Sequence, residues 1–182
     1  MNSIAVFCGS RDGASPVYRE RAAVFGKELA RRGITLVYGG SSMGTMGVLA
    51  NTVLEHGGKA IGVMPNMLAD RELAHHHLTE LYIVSSMHER KAKMAELADA
   101  FVAMPGGPGT LDEFFEVFTW NQIGIHHKPV GIYNVNHYYT PLMSVFDHMA
   151  KEQFLPQAHR DMIKCSEDAS VLIDSMLQAH NV

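Results

Sequence analysis

Ile34-Thr35-Leu36-Val37-Tyr38-Gly39-Gly40-Ser41-Ser42-Met43-Gly44-Thr45-Met46-Gly47 decides the fold. A compact apolar run breaks into glycines and small residues, which lead into a helix of small and apolar residues ending at Gly57-Gly58. A run that is apolar throughout, without alternation, is a strand covered on both faces. The same unit precedes it. Residues 3–8 form an apolar run ending in Gly9-Ser10, and Pro16 opens a helical pattern that reaches Arg32 and stops at Gly33. Downstream, residues 60–64, 81–84, 100–104 and 130–133 read as strands, and residues 87–97 and 111–123 as helices. One long irregular connection, 66–79, with room for short helical turns, separates the third and fourth strands. Two C-terminal helices close the chain, with a short strand near 162–165 between them. This alternation predicts an α/β fold, a Rossmann-like doubly wound parallel sheet forming one domain over residues 1–182. Ligands of such sheets bind at the carboxyl ends of the strands, so the residues just after each strand carry the functional reading.

Composition narrows the partners. The chain has 182 residues, 47% apolar and 19% charged, with 15 Lys plus Arg against 19 Asp plus Glu. This slight acidity provides no field for drawing in nucleic acid, and any anion must be held locally. No run approaches the roughly 18 apolar residues of a membrane span, and MNSIAVFCGS lacks the basic region and apolar stretch of a signal peptide. The expectation is a cytoplasmic protein with no membrane partner. Cys8 and Cys165 indicate neither a disulfide framework nor a metal cluster. His75-His76-His77 lies in the long connection, but adjacent positions chelate one ion poorly and no Cys or acidic cluster flanks them. No metal and no cofactor are expected. Most of the 12 methionines read as core filler, although Met43, Met46, Met64, Met67 and Met87 stand near the strand ends and can line a pocket for a base.

Three strands end in small-residue loops: Cys8-Gly9-Ser10, the 39–47 segment, and Pro105-Gly106-Gly107-Pro108-Gly109-Thr110. Glycine lets a backbone approach a ligand closely, and the helix that follows points unpaired N–H groups and its positive dipole end at an anion. Any one of these loops can simply be a tight turn; three in one chain favour phosphate. None carries the Gly-Lys-Ser/Thr of a P-loop. A dinucleotide site wants an acidic residue at the end of the next strand, and here that strand ends Val63-Met64-Pro65. A mononucleotide or sugar phosphate remains.

Two helix starts supply charge. In Thr110-Leu111-Asp112-Glu113 the spacing is that of a capping box, so one reading has Glu113 capping its own helix. The other notes that Glu113 and Glu116 share one face of a helix otherwise made of Phe114, Phe115, Val117, Phe118 and Trp120. A carboxylate edge beside a phosphate cradle suits something that becomes positive, such as an oxocarbenium-like sugar. Ser86-Met87-His88-Glu89 is a second capping pattern, followed by Arg90 and Lys91. Cations in a first helical turn oppose the dipole at a cost of roughly 0.3–1 kcal/mol each. Either Glu89 compensates on an exposed turn, or Arg90 and Lys91 turn toward an anionic ligand or Glu113.

Cys8-Gly9-Ser10, the Gly-Gly-to-Gly-Thr-Met-Gly loop, Met87-His88-Glu89-Arg90-Lys91 and Pro105-Gly106-Gly107-Pro108-Gly109-Thr110-Leu111-Asp112-Glu113 together resemble the LOG ("lonely guy") family of cytokinin riboside 5′-monophosphate phosphoribohydrolases, over residues 4–148 with spacing intact. Family members were long labelled lysine decarboxylases, and no pyridoxal-phosphate site is legible here. The resemblance implies hydrolysis of the N-glycosidic bond of AMP or N6-substituted AMP to free base and ribose 5-phosphate. It implies Arg90 and Glu113 as the catalytic pair, and Gly107, Gly109 and Thr110 as the phosphate cradle with Lys91 and Thr119 near the ligand. Gly9, Ser10, Gly40, Gly44, Met87, Gly106 and Glu116 complete the expected binding set. A homodimer with its site near the interface is implied as well. Pro108, Asp112, Ser41 and Thr45 depart from the usual family residues, which bears on substrate preference more than on reaction type. Arg90 stays protonated and so orients Glu113 and the sugar rather than donating a proton. The acid for the departing base is open between His88, Asp112 and solvent. The rival from another class is a nucleotide carrier without turnover.

Overall fold

The computed structural model describes residues 1–69 and 74–180. Along the chain run β1 (Ser3–Phe7), α1 (Val17–Arg31), β2 (Thr35–Tyr38), α2 (Gly44–Glu55), β3 (Ala60–Pro65), α3 (Asn66–Ala69), β4 (Glu80–Val84), α4 (Met87–Leu97), β5 (Ala100–Ala103), α5 (Pro108–Gln122) and β6 (Val130–Tyr133). A 3-10 turn (Val135–His137), α6 (Thr140–Lys151), α7 (Gln157–Met162), β7 (Ile163–Ser166) and α8 (Ala169–His180) follow. The seven strands are all parallel, in the order β4-β3-β2-β1-β5-β6-β7. This is the Rossmann-like doubly wound sheet expected of the alternation.

Strand side chains alternate between two helical layers. Ile4 and Val6 of β1 pack with Phe25 and Leu29 of α1, Leu49 and Val53 of α2, and Leu172 and Met176 of α8. Ala5 and Phe7 face the other way, toward Met94 of α4, Phe114 and Phe118 of α5, and Phe146 of α6. A large apolar side chain buried this fully contributes roughly 1.5–3 kcal/mol relative to exposure. Burial on both faces is why the central strands read as unbroken apolar runs.

Two larger differences from the sequence reading appear. Helix α5 begins at Pro108, three residues before Leu111, because the fixed φ of proline suits a first helical turn. Three C-terminal helices replace the expected two, since the six residues of α7 are too short to show a period. The long connection opens with the single turn α3, in keeping with short helical turns there, and rejoins the sheet through a bridge between Ser41 and Ala74. Residues 70–73 of that connection lie outside the described residues. Among the described residues, no helix is long and apolar enough to cross a membrane.

Candidate functional site

The strand order reverses between β1 and β5, so the loops leaving their carboxyl ends diverge and open a crevice. A cavity of about 600 Å³ occupies it, within the usual size of small-molecule sites. The Gly9 N–H donates to the Pro105 carbonyl at 3.2 Å and so ties the two loops together. Gly9 and Ser10 line one side of the cavity, and Gly106, Gly107, Gly109 and Thr110 line the other. A Cβ on Gly107 or Gly109 would meet no atom within 4 Å. The N–H groups of these two glycines find no acceptor among the described residues. An unpaired donor pair at the start of a 15-residue helix is suited to an anion.

The catalytic candidates meet in the cavity wall. Arg90 Nη1 donates to Glu113 Oε1 at 2.7 Å, and Nε donates to the Val63 carbonyl at 3.0 Å. The two residues are only 8% and 7% exposed. Glu113 therefore does not cap its own helix: α5 starts at Gly107-Pro108, which leaves Thr110 and Glu113 inside it. Glu89 meanwhile accepts from the Ser85 N–H (2.7 Å) and hydroxyl (2.6 Å), and Ser86 Oγ accepts from the Glu89 N–H. The helix start is thus satisfied without Arg90, which turns inward. Burial raises the Glu113 carboxyl above its ordinary range; the Arg90 guanidinium opposes this and does not overcome it.

Other expected residues have different places. Gly39 touches Arg90, whose Nη2 fills the space a Cβ would need. Gly40, at φ +78°, packs on Leu81, Met64 and Gly62, away from the cavity. Gly44, at φ +59°, lies against the backbone of Ser10 and Arg11, so it shapes the loop without lining the cavity. The second glycine loop therefore brings protein close to protein. Met87 and Met46 line the cavity, whereas Lys91 and Glu116 form an outer pair at 2.9 Å, joined by Asp112 at 3.1 Å from the same ammonium. Thr119 is exposed farther along α5 and does not line the cavity. Of the two protein candidates for the leaving-base acid, Asp112 lines the cavity and His88 does not. The thiol of Cys8 is buried and pushed up to about 12, which leaves it protonated and unsuited to nucleophilic chemistry. His75 is buried and shares a 2.8 Å hydrogen bond with Asn51 of α2, a structural role for that histidine, while His76 and His77 are exposed.

Sequence reasoning missed Arg11, Tyr18, Leu68 and Tyr138, which also line the cavity. Tyr138 follows β6, and the strand-end rule reaches it once the 3-10 turn is known. Tyr18 carried no such signal; its ring lies over Gly13, which takes φ +78°.

The geometry fits what comparison with known proteins shows. A family model described as "Possible lysine decarboxylase" matches residues 46–176. The cytokinin riboside 5′-monophosphate phosphoribohydrolase of Rhodococcoides fascians is 48% identical over 91% of this chain and 84% of the relative. The Oryza sativa protein of that name is 47% identical over 93% of the chain and 70% of the relative. Among solved structures, the molybdenum cofactor carrier protein of Chlamydomonas reinhardtii superposes with a TM-score of 0.72 at 20% identity, over 97% of this chain and 96% of the other. That likeness is one of fold. Matched over most of its length by relatives close to half identical, the chain belongs to the LOG family, which the lysine decarboxylase family model also covers.

Proposed function

We propose that the protein is a nucleotide N-glycosidase that hydrolyses AMP and N6-substituted AMP, such as cytokinin riboside 5′-monophosphates, to free base and ribose 5-phosphate. The observation that carries this reading is the buried Arg90–Glu113 pair in the cavity wall, adjoining a loop with two N–H donors that have no acceptor among the described residues. A phosphate seated on Gly107, Gly109 and Thr110 fixes the ribose, so binding energy far from the reacting carbon positions the glycosidic bond. As the C1′–N bond breaks, its electron pair leaves with the base and C1′ gains positive charge. The Glu113 carboxylate stabilises that charge and accepts a proton from the water whose oxygen bonds to C1′. Arg90 holds the carboxylate in place through its own bonds to Glu113 and Val63. A proton supplied to the departing base completes the balance. A carrier would have no use for a buried carboxylate beside its anion loop, where the charge repels the ligand.

Incubating the purified protein with AMP and with isopentenyl-AMP, and following base and ribose 5-phosphate by chromatography, tests the reading. Release of both products is expected. Tight nucleotide binding without base release would favour the carrier.

The reading includes a cytoplasmic homodimer with its site near the interface. It is supported by the family resemblance and by exposed Ile83 on the edge strand β4 and exposed Met87 beside the cavity, apolar surface that a second copy would cover. Sedimentation showing only monomer at micromolar concentration would sink the dimer.

A further inference from the structure

We propose that Tyr138 is a positioning residue for the anion loop: by holding the Gly106 carbonyl, it aims the Gly107 N–H into the cavity. The inference rests on the reading of that cavity as a nucleotide-phosphate site.

Three successive carbonyls of the loop after β5 are captured by donors from outside it. The Met104 carbonyl accepts from the Tyr139 hydroxyl at 2.9 Å, the Pro105 carbonyl from the Gly9 N–H at 3.2 Å, and the Gly106 carbonyl from the Tyr138 hydroxyl at 2.7 Å. A carbonyl facing a phosphate would repel it. A trans peptide is planar, with its C=O and N–H pointing in opposite directions. Fixing the Gly106 oxygen therefore fixes the direction of the Gly107 N–H, one of the two donors without an acceptor among the described residues. No side chain at Gly106 or Gly107 can do this, so the orientation is set by a residue 32 positions from Gly106.

The chain makes unusual provision to deliver that hydroxyl. Between β6 and α6, Asn136 and His137 take φ of +51° and +58°, a region disfavoured for residues other than glycine. Such conformations persist where the surroundings over-determine them, and they cluster at functional sites. Asn134 supplies the constraint: its Oδ1 accepts from the Tyr139 N–H at 2.7 Å and its Nδ2 donates to Thr140 Oγ1 at 3.1 Å. The Tyr138 ring stands edge-on to Tyr18 and Tyr139, with centroids 5.8 and 4.9 Å away. Tyr138 is 44% exposed, so water could satisfy its hydroxyl equally well. The bond to Gly106 matters for the loop more than for the tyrosine.

Tyr138→Phe removes the hydroxyl and keeps the ring. Calorimetric titration of wild type and variant with ribose 5-phosphate, inorganic phosphate and adenine, alongside AMP kinetics, tests the assignment. The variant should bind ribose 5-phosphate and phosphate about five- to tenfold more weakly, the effect of one lost hydrogen bond. The KM for AMP should rise by the same factor, while kcat stays within twofold and adenine affinity and Tm are unchanged. Tyr138→Leu, which also removes the ring, should weaken phosphate binding no further. Unchanged ribose 5-phosphate binding in Tyr138→Phe overturns the assignment, as does an equal loss of adenine binding or a fall in Tm, either of which marks a merely structural tyrosine. If wild type binds ribose 5-phosphate yet releases no base from AMP, the hydrolase reading fails and the binding comparison still decides the role of Tyr138. Absence of phosphate binding in wild type overturns both.

Discussion

Arg90 and Lys91 are adjacent in sequence, both reach from α4 to α5 and their side chains are covered almost equally, but they meet different partners. Arg90 makes a single buried ion pair, to Glu113 at 2.7 Å, and spends its remaining fork on the Val63 carbonyl and the space above Gly39. Lys91 divides one ammonium between Glu116 and Asp112, and the Asp112 side chain is 64% exposed. The inner pair lies at the cavity, where little water screens it, so each member governs the charge and orientation of the other. The outer group is partly hydrated and serves mainly as a contact between helices. The planar guanidinium suits the first setting and the compact ammonium the second.

Glu113→Gln probes the inner pair most severely. It keeps the shape and removes the negative charge, so kcat should fall about 10²–10⁴-fold, the usual contribution of a positioned base, while nucleotide binding by calorimetry persists. Full activity in this variant would break the proposed mechanism. Arg90→Met leaves Glu113 buried without its partner, and unfolding in denaturant should show a loss of roughly 3–5 kcal/mol. The same variant sharpens the electrostatics. Under the proposed mechanism the ionised carboxylate is the working form, and burial raises its pKa, so kcat/KM should fall on acidification while still above the ordinary carboxylate range. The guanidinium is the group holding that pKa down. Removing it should move the acid limb of the pH profile to higher pH; movement to lower pH would contradict the assignment.

How much of this was legible depended on the kind of signal. The central strands were readable because burial on both faces leaves short, continuous apolar runs. The loop 105–110 was readable because glycines before a helix have few uses. The glycines at 39 and 40 misled in part. Their absence of a side chain signals a close approach, but it does not say to what, and here the neighbours are Arg90, Met64 and Leu81. The spacing of Thr110 and Glu113 imitated a capping box because Pro108 starts the helix one turn earlier than the apolar pattern does. Tyr138 escaped notice because its partner, Gly106, is distant in sequence and the turn that delivers it depends on the left-handed residues Asn136 and His137.

Gly39→Ala tests whether the inner pair needs the room that glycine leaves. The new methyl would occupy the position of Arg90 Nη2, and it would also press on Met46. Forcing a side chain into a filled site costs about 1–3 kcal/mol, and here the displaced group is the one that orients Glu113. Tm and kcat should therefore fall together. A variant with normal kcat and a lowered Tm would show that Glu113 holds its position without Arg90.

Lys91→Met gives the smallest effect and completes the contrast with Arg90→Met. The methionine keeps most of the apolar stem and removes the charge. Its loss should cost about 1 kcal/mol, less than that of Arg90, because Asp112 is largely in water and Glu116 is a quarter exposed, so both carboxylates rehydrate once the ammonium is gone. Wild type should approach the stability of the variant as sodium chloride is raised toward 1 M, where the screening length falls to about 3 Å. The deficit of Arg90→Met should persist in the same salt, since counterions do not reach the Glu113 carboxylate, about nine-tenths covered, as they reach Asp112 and Glu116. If both deficits shrink equally with salt, the distinction between an inner working pair and an outer helix contact fails.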